Sequence, residues 1–208
     1  MTRGRFIALE GGEGAGKSTQ ARLLAEALAA RGIEVSVTRE PGGTPGAEAI
    51  RALLLDPAGP GWNPRAEALL FAAARSDHVE RLIRPALDAG QWVICDRFLD
   101  SSRAYQGGAG GLADEDILAL HWIGSAGLLP DLTLLIEVSP QVAVARTARR
   151  DGAEADRIGG RDAAYHAAVA ATFRRLAEAD PARFARIDGD GSIADTHARV
   201  LDAVDARC

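Results

Sequence analysis

Short apolar runs alternate with longer alanine-rich segments along most of the chain. The runs are rich in β-branched and aromatic residues, whereas the segments between them carry apolar residues at helical spacing. Five runs have the length of a strand: Phe6-Ile7-Ala8-Leu9, Val35-Ser36-Val37, Trp92-Val93-Ile94-Cys95, residues 132–138 and residues 184–187. Strands that alternate with helices are usually parallel, because the chain crosses over between them. The pattern predicts the α/β class, with a three-layer arrangement of about five parallel strands flanked by helices.

The ends of the predicted strands are where a ligand is expected. In an open parallel sheet, ligands bind beyond the carboxyl ends of the strands. Functional residues are therefore sought in the segments that follow them, at residues 10–18, 39–46, 96–97 and 188–191.

The remainder of the chain predicts one domain over residues 1–208, without a linker or an internal repeat. A long helical segment from about residue 65 to residue 90 contains Pro85, which is expected to kink or restart it. Residues 146–161 are polar, glycine-containing and rich in arginine, which is typical of a flap between helices.

Charge and cysteine usage limit the possible partners and compartment. A formal net charge of -5 gives no global footprint for nucleic acid. Cys95 and Cys208 suggest no disulfide framework, and no apolar stretch reaches the roughly 18 residues needed to span a membrane. We expect a cytoplasmic protein that binds neither nucleic acid nor membranes. The histidines and acidic residues show no metal-ligand spacing, so no structural zinc is predicted.

A glycine-rich segment directly follows the first predicted strand. Gly11-Gly12-Glu13-Gly14-Ala15-Gly16-Lys17-Ser18 matches G-x-x-x-x-G-K-[ST] and precedes a predicted helix over residues 19–30. Its backbone N–H groups can surround a phosphate, and the helix N-terminus adds a positive dipole end. Lys17 would reach the β- and γ-phosphate oxygens, and Ser18 would ligate Mg²⁺. A glycine-rich turn that only caps a helix is the alternative, which the complete motif in this position disfavours.

Lysine usage narrows the class of nucleotide-binding protein. Lys17 is the one lysine in the chain, against 23 arginines. The N-K-x-D element with which signalling GTPases read guanine needs a second lysine, so the sequence disfavours a GTPase of that type. A phosphate loop alone leaves kinases, motors, transporter ATPases and switches open.

Asp96-Arg97 follows the third predicted strand. The Asp96 carboxylate would lie near the Mg²⁺ ligands. The planar guanidinium of Arg97 suits bidentate binding of the phosphate of a second substrate. A surface ion pair is the simpler alternative, but residue type and position both favour a functional pair.

Five motifs in order resemble the signatures of bacterial thymidylate kinases, which are nucleoside monophosphate kinases with a P-loop kinase fold. They are the phosphate loop with an acidic third residue, Arg39-Glu40-Pro41-Gly42-Gly43-Thr44, residues 70–78, Asp96-Arg97-Phe98 and Ala104-Tyr105-Gln106-Gly107-Gly108. The resemblance extends from Phe6 to about Arg161.

The resemblance implies transfer of the γ-phosphoryl group of ATP to dTMP, with ATP and Mg²⁺ bound at the phosphate loop. Arg97 would hold the 5′-phosphate of dTMP, and Glu13 would accept from the sugar 3′-hydroxyl. Ser18 and Asp96 are the implied Mg²⁺ ligands. The implied ATP-binding residues are Gly11, Gly12, Glu13, Gly14, Ala15, Gly16, Lys17, Ser18 and Thr19.

Five further positions are implied to recognise the acceptor nucleoside. Phe71 would stack on the thymine ring, and Arg75 would donate to O4, a contact that the 4-amino group of cytosine cannot accept. Ser102 corresponds to a polar side chain near N3, and Tyr105 to an aromatic that crowds C2′ and disfavours a ribose. Gln106 is placed at the base. From the sequence alone, core packing is the commoner fate of a residue such as Phe71.

The arginine-rich flap is similar to the family's lid, here at about residues 147–161. Because the phosphate loop has no arginine, the chain resembles the bacterial subgroup whose lid supplies the catalytic guanidinium. Arg149 is the first candidate and Arg157 the second, beside Lys17, Glu13 and Arg97 as catalytic residues. Gly159-Gly160 replaces an acidic residue often found in the family, so no role of that carboxylate carries over.

The resemblance also implies a homodimer. Two alternatives to a dTMP kinase stay open: a kinase for another pyrimidine monophosphate such as dUMP, and a P-loop ATPase switch that has no small acceptor. A single methyl group contributes about 1–3 kcal/mol of discrimination, so sequence cannot separate dTMP from dUMP.

Overall fold

A computed structural model describes residues 3–59, 61–151 and 157–208, without the side chains of residues 149–151. The described residues form one five-stranded sheet with the order β2-β3-β1-β4-β5, and every pairing is parallel. The strands are β1 (Phe6–Glu10), β2 (Val35–Arg39), β3 (Trp92–Asp96), β4 (Leu132–Glu137) and β5 (Phe184–Asp188). The predicted α/β class and parallel sheet are thereby confirmed.

Helices connect the strands, and two short π-helical turns extend them. The helices are α1 (Lys17–Ala30), α2 (Pro45–Leu55), α3 (Pro64–His78), α4 (Arg84–Asp88), α5 (Leu99–Ser102), α6 (Asp114–Ser125), α7 (Pro140–Asp151), α8 (Ala163–Ala179) and α9 (Ile193–Asp205). The π-helical turns are Val79–Ile83 and Arg103–Ala109.

The central strands are buried on both faces, as their continuous apolar character predicts. In β1, Ile7 and Leu9 face a core formed with α1 and α9, whereas Phe6 and Ala8 face a second core beneath the α3 and α6 side of the molecule. Successive side chains of a strand point to opposite faces, so four consecutive apolar residues contribute to both cores.

The long helical segment near Pro85 is continuous rather than broken. Helix α3 runs into the Val79–Ile83 π-turn and then into α4, where Pro85 occupies the first turn. Proline has no N–H to donate to the preceding turn, and the wider π-turn lies directly before it.

The amino-terminal part of the predicted flap is helical, because residues 146–151 belong to α7. Residues 157–162 form turns that lead into α8. Within the described ranges, no helix combines the length and the apolar character that a membrane span needs.

Candidate active site

A cavity of about 950 Å³ opens at the carboxyl edge of the sheet. The phosphate loop and the start of α1 form one wall, and β3 with the α5 region forms another. The segment after β2, helix α3 and the start of α9 also contribute to the lining. One cleft thus combines segments that follow β1, β2, β3 and β5, as a parallel sheet predicts.

The phosphate loop has the backbone that its glycines permit. Gly14 and Gly16 have φ values of 71° and 91°, a region that other residues rarely adopt, and α1 begins immediately afterwards. The Lys17 ammonium donates to the carbonyl oxygens of Gly11 (3.0 Å) and Gly12 (2.9 Å). Burial lowers the pKa of Lys17 to about 8. The loop therefore carries inward N–H groups and a buried ammonium at a helix N-terminus, which suits a phosphate chain.

Two oxygen-bearing side chains converge beside the loop. The Ser18 hydroxyl donates to the Asp96 carboxylate, which brings together the two residues predicted to hold Mg²⁺. Hard cations such as Mg²⁺ prefer oxygen ligands and often take only one or two protein groups, with the rest from phosphates and water. The pair fits that ion, although no group of three or more potential metal ligands exists among the described residues.

Arg97 is fixed by several contacts at the end of β3. Its guanidinium donates to Glu13 at 2.6 Å, and to the Gly11 carbonyl and the Ser101 hydroxyl at 3.2 Å each. It also lies 4.9 Å from the centre of the Tyr105 ring. Its φ of 70° is unusual for a residue with a side chain, which marks a position held by its surroundings.

Glu10 is a buried residue of this wall to which the sequence assigned no role. Its carboxylate accepts from the backbone N–H groups of Phe98 (2.8 Å) and Ser101 (3.0 Å), and from the Ser101 hydroxyl (2.6 Å). Burial and the nearby Asp100 charge raise the pKa of Glu10 to about 7. Glu10 thus anchors the turn that presents Arg97. The sequence feature that could have indicated this role is the position of Glu10 at the end of the first strand.

Arg75 forms the far wall of the cleft. Its Nε donates to Glu40 at 2.7 Å, and its Nη2 donates to the Phe98 carbonyl at 3.1 Å and the Ser102 hydroxyl at 2.9 Å. Among the described residues, its Nη1 has no hydrogen-bond partner. Arg75 and the half-buried Phe71 both line the cavity.

Tyr105 and Gln106 lie on the Arg103–Ala109 turn and also line the cavity. Burial raises the pKa of Tyr105 to about 12, and within the described part of the chain its hydroxyl has no hydrogen-bond partner. Gln106 donates to Glu67 at 2.9 Å, and Arg161 donates to the other oxygen of the same carboxylate.

The lid candidates occupy different places. Arg157 donates to the carbonyls of Asp56 (3.0 Å), Pro57 (3.4 Å) and Gly59, outside the cavity lining. The side chain of Arg149 lies outside the described residues.

The structure adds arginines and a loop that sequence reasoning left without a role. Arg146 lines the cavity, where its Nη2 donates to the carbonyls of Gly189 (3.0 Å) and Gly191 (3.2 Å). Arg51 and Arg39 also line the cleft. The position after β5 was the signal for the loop at residues 189–191. Arg39 opens the predicted Arg39–Thr44 motif and Arg146 begins the predicted arginine-rich flap, whereas no motif marked Arg51.

Comparison with known proteins decides the family. The family model for thymidylate kinase matches residues 9–200. The chain belongs to the thymidylate kinase family. Thymidylate kinases are phosphotransferases, so the predicted enzyme class is confirmed together with the fold and the family.

Thymidylate kinases from several bacteria are similar to this chain over most of its length. The chain is 61% identical over 201 residues to the thymidylate kinase of Rhizorhabdus wittichii, covering 97% of both chains. It is 47% identical over 206 residues to that of Bradyrhizobium sp. strain BTAi1, covering 99% of this chain and 91% of the relative. The crystal structure of the Ehrlichia chaffeensis thymidylate kinase matches with a TM-score of 0.78 and 32% identity, covering 98% and 99% of the two chains.

Proposed function

We propose that the cleft binds ATP and dTMP together and that the chain transfers the γ-phosphoryl group of ATP to the 5′-phosphate of dTMP. The observation that carries this proposal is the continuity of one cavity between the phosphate loop at Lys17 and the wall formed by Arg97 and Arg75. A volume of about 950 Å³ lies near the upper end of the range for ligand sites, which suits two nucleotides meeting end to end.

The donor lies on the phosphate loop. Backbone N–H groups of residues 11–19 surround the β-phosphate, and the Lys17 ammonium leaves its two loop carbonyls for the β- and γ-oxygens. Ser18 and Asp96 would hold Mg²⁺, which neutralises phosphate charge when bound.

The acceptor phosphate lies against Arg97. An oxygen of the dTMP phosphate attacks the γ-phosphorus in line, and the bond between that phosphorus and the β,γ-bridging oxygen breaks. The products are dTDP and ADP. Little covalent chemistry is asked of the protein, because positioning and charge neutralisation supply most of the rate. Glu13, which contacts Arg97, lies where it accepts from the sugar 3′-hydroxyl.

The base lies between Phe71 and Arg75. Because Nε and Nη2 of Arg75 already have protein acceptors, Nη1 is the nitrogen available for the 4-oxo group of thymine. Ser102, held by the same guanidinium, lies near N3, with Gln106 beside the base. Tyr105 restricts the sugar, because a ribose hydroxyl would meet its buried ring.

The chain forms a single domain. Its lid, at about residues 147–161, supplies the remaining positive charge to the transferring phosphoryl group. Arg149 is the first candidate for the transferring phosphoryl group and Arg157 the second, in the manner of an arginine finger. Arg146, directly before the lid, lies beside the loop, with its Nη1 3.8 Å from where a side-chain carbon on Gly16 would lie.

A homodimer would cover an apolar layer on the outer helices. Helix α3 packs between α2 and α6. All three helices present exposed apolar side chains. Trp122 and Ile123 are 70% and 81% exposed. A solvent-exposed patch of this kind is typical of an interaction site. The layer consists of Leu53, Leu69, Leu118, Trp122 and Ile123.

Steady-state turnover of dTMP, dUMP, dCMP and dGMP with MgATP tests the proposal. We expect the largest kcat/KM with dTMP, a smaller value with dUMP and the smallest values with dCMP and dGMP. Equal turnover of dGMP would contradict the base site. ATP hydrolysis that ignores every added monophosphate would instead favour the ATPase switch.

A further inference from the structure

The carboxylate of Glu40 is buried between two other buried side chains. One oxygen accepts from Nε of Arg75 at 2.7 Å, and the other lies 3.1 Å from Nδ1 of His78. The second ring nitrogen of His78 lies 2.7 Å from the Thr38 hydroxyl. Each of the four residues is at most 8% exposed. Thr38, His78, Glu40 and Arg75 therefore form a hydrogen-bonded chain, here called the Glu40 chain, that ends at the base wall.

The donors and acceptors of the Glu40 chain can all be satisfied in one direction. A neutral His78 with its proton on Nδ1 donates to Glu40 and accepts from the Thr38 hydroxyl at Nε2. Among the described residues, Arg75 is then the cation paired with the negative charge of Glu40. A buried ion pair with complete hydrogen bonding holds its side chains in one geometry, because breaking it leaves an uncompensated charge.

The motif Arg39-Glu40-Pro41-Gly42-Gly43-Thr44 closes over this chain. A side-chain carbon on Gly43 would lie 2.4 Å from the Thr38 hydroxyl and 2.6 Å from Nε2 of His78, and Gly43 has a φ of 91°. Only glycine fits there. The motif therefore packs directly on His78, at the end of α3. Both take part in the Glu40 chain, a role that the sequence did not indicate for either.

We propose that Glu40, supported by His78 and Thr38, is the positioning residue for Arg75 and thereby sets the preference for a 4-oxo over a 4-amino pyrimidine. The inference rests on the proposed function, in which Arg75 reads the base. Without Glu40 the guanidinium keeps its Nη2 contacts but loses the bond at Nε that fixes its plane. A mobile donor binds the oxo group less well and yields more easily to an amino group, so discrimination falls.

Internal competition between dTMP and dCMP for one enzyme preparation tests the proposal. The ratio of products at low conversion gives the ratio of the two kcat/KM values, and the fraction of folded enzyme cancels. We expect Glu40→Ala to lower the dTMP preference by about 10- to 100-fold, since a misplacement of about 1 Å can cost about 100-fold.

Two related variants separate positioning from general damage. Glu40→Gln should recover part of the preference: its amide oxygen still accepts from Arg75 and its amide nitrogen donates to the other tautomer of His78, but the buried charge of Arg75 is then uncompensated. His78→Ala should lower the preference by less than Glu40→Ala, because Glu40 keeps its bond to Arg75. If Glu40→Ala gives no active enzyme, Glu40→Gln and His78→Ala decide together, and a wild-type ratio in both would overturn the proposal.

Asp100→Asn is the matched control. Asp100 is a fully buried carboxylate paired with an arginine, Arg183, at 2.6 Å, but it does not line the cavity. We expect it to lower stability and leave the dTMP preference unchanged. An equal fall in Asp100→Asn and Glu40→Ala would show general loosening and overturn the proposal.

Arg75→Ala separates failure of this inference from failure of the proposed function. If Arg75→Ala leaves the preference unchanged, the assignment of Arg75 to the base is wrong. If Arg75→Ala lowers it while Glu40→Ala and His78→Ala keep the wild-type ratio, the base assignment stands and the positioning role of Glu40 is wrong.

Discussion

The guanidinium of Arg97 donates to the carboxylate of Glu13 at 2.6 Å, although the two residues are 84 positions apart in the chain. They meet because β1 and β3 are neighbours in the sheet, with Leu9 opposite Asp96. The pair places Arg97, the proposed holder of the acceptor phosphate, next to the third residue of the phosphate loop. In the proposed function, the donor and acceptor sites therefore share a boundary made of these two side chains.

Replacing Arg97 by alanine should act on the acceptor and spare the donor. We expect kcat/KM for dTMP to fall about 100-fold or more, because each hydrogen bond to a charged group contributes about 1.5–3 kcal/mol. The Kd for ATP, measured by calorimetry, should change little. Arg22→Ala, which removes an exposed arginine paired with Glu26, is the control and should leave both values unchanged. A loss of ATP affinity equal to the loss with dTMP would contradict the assignment.

The lowered pKa of Lys17 predicts a pH dependence of ATP use. With a pKa of about 8 in the free enzyme, the ammonium loses its proton as pH rises through 8, and the attraction to phosphate oxygens goes with it. We expect kcat/KM for ATP to fall above pH 8. Lys17→Arg should be much less active at every pH, because the planar guanidinium does not match a compact ammonium, and its residual activity should lack this decline. Near-normal activity of Lys17→Arg would show that this position does not require a lysine and that the retention of a single lysine in the chain has no functional cause.

Glu10 predicts a pH-dependent stability. Its pKa is about 7 in the folded protein and near 4.5 in the unfolded chain, so the unfolded state releases the proton first. Stability is therefore lost as pH rises from about 4.5 through 7, by up to about 3 kcal/mol from this group. Glu10→Gln keeps the shape and cannot ionise. Urea unfolding at pH 5 and pH 8 should show a smaller difference between the two pH values in Glu10→Gln than in the wild type, and equal differences would contradict the prediction.

Sequence could predict the parts of this site that a local pattern marks. The strands are contiguous apolar runs, the glycine positions of the phosphate loop demand its backbone, and Arg97 follows a strand whose end must face the cleft. Glu10 and the Glu40–His78 pair could not be predicted in the same way. A buried polar side chain has no periodicity of its own, and its role depends on partners that only the folded sheet brings near. The contacts of Arg157 with residues 56–59 depend likewise on how the segment before α8 packs.

The two lid candidates should differ in their effect on turnover. Arg157 already donates to three backbone carbonyls, whereas Arg149 lies on α7, the helix that packs on the phosphate loop at Gly14. We expect Arg149→Ala to lower kcat more than it raises KM for ATP, and more than Arg157→Ala lowers kcat. Loss of an arginine finger costs about 10³- to 10⁵-fold in systems that depend on one. Single-turnover rates at saturating ATP measure the step directly, and unchanged rates in both variants would contradict the lid mechanism.

Charging the apolar layer should separate the proposed homodimer without unfolding the chain. Trp122 and Ile123 are mostly exposed in one chain, so the double variant Trp122→Glu/Ile123→Glu leaves no cavity in the core. Buried anchors in an interface contribute about 2 kcal/mol or more each, which corresponds to about a 30-fold weaker association per residue. Sedimentation velocity should show a dimer for the wild type and a 21.8 kDa monomer for the variant. Val144→Glu, at an equally exposed position on α7, is the control and should stay dimeric. A monomeric wild type would show that the layer forms no interface in solution. A double variant that stays dimeric would show that the interface lies elsewhere, because two buried glutamates could not be accommodated in this layer without partners.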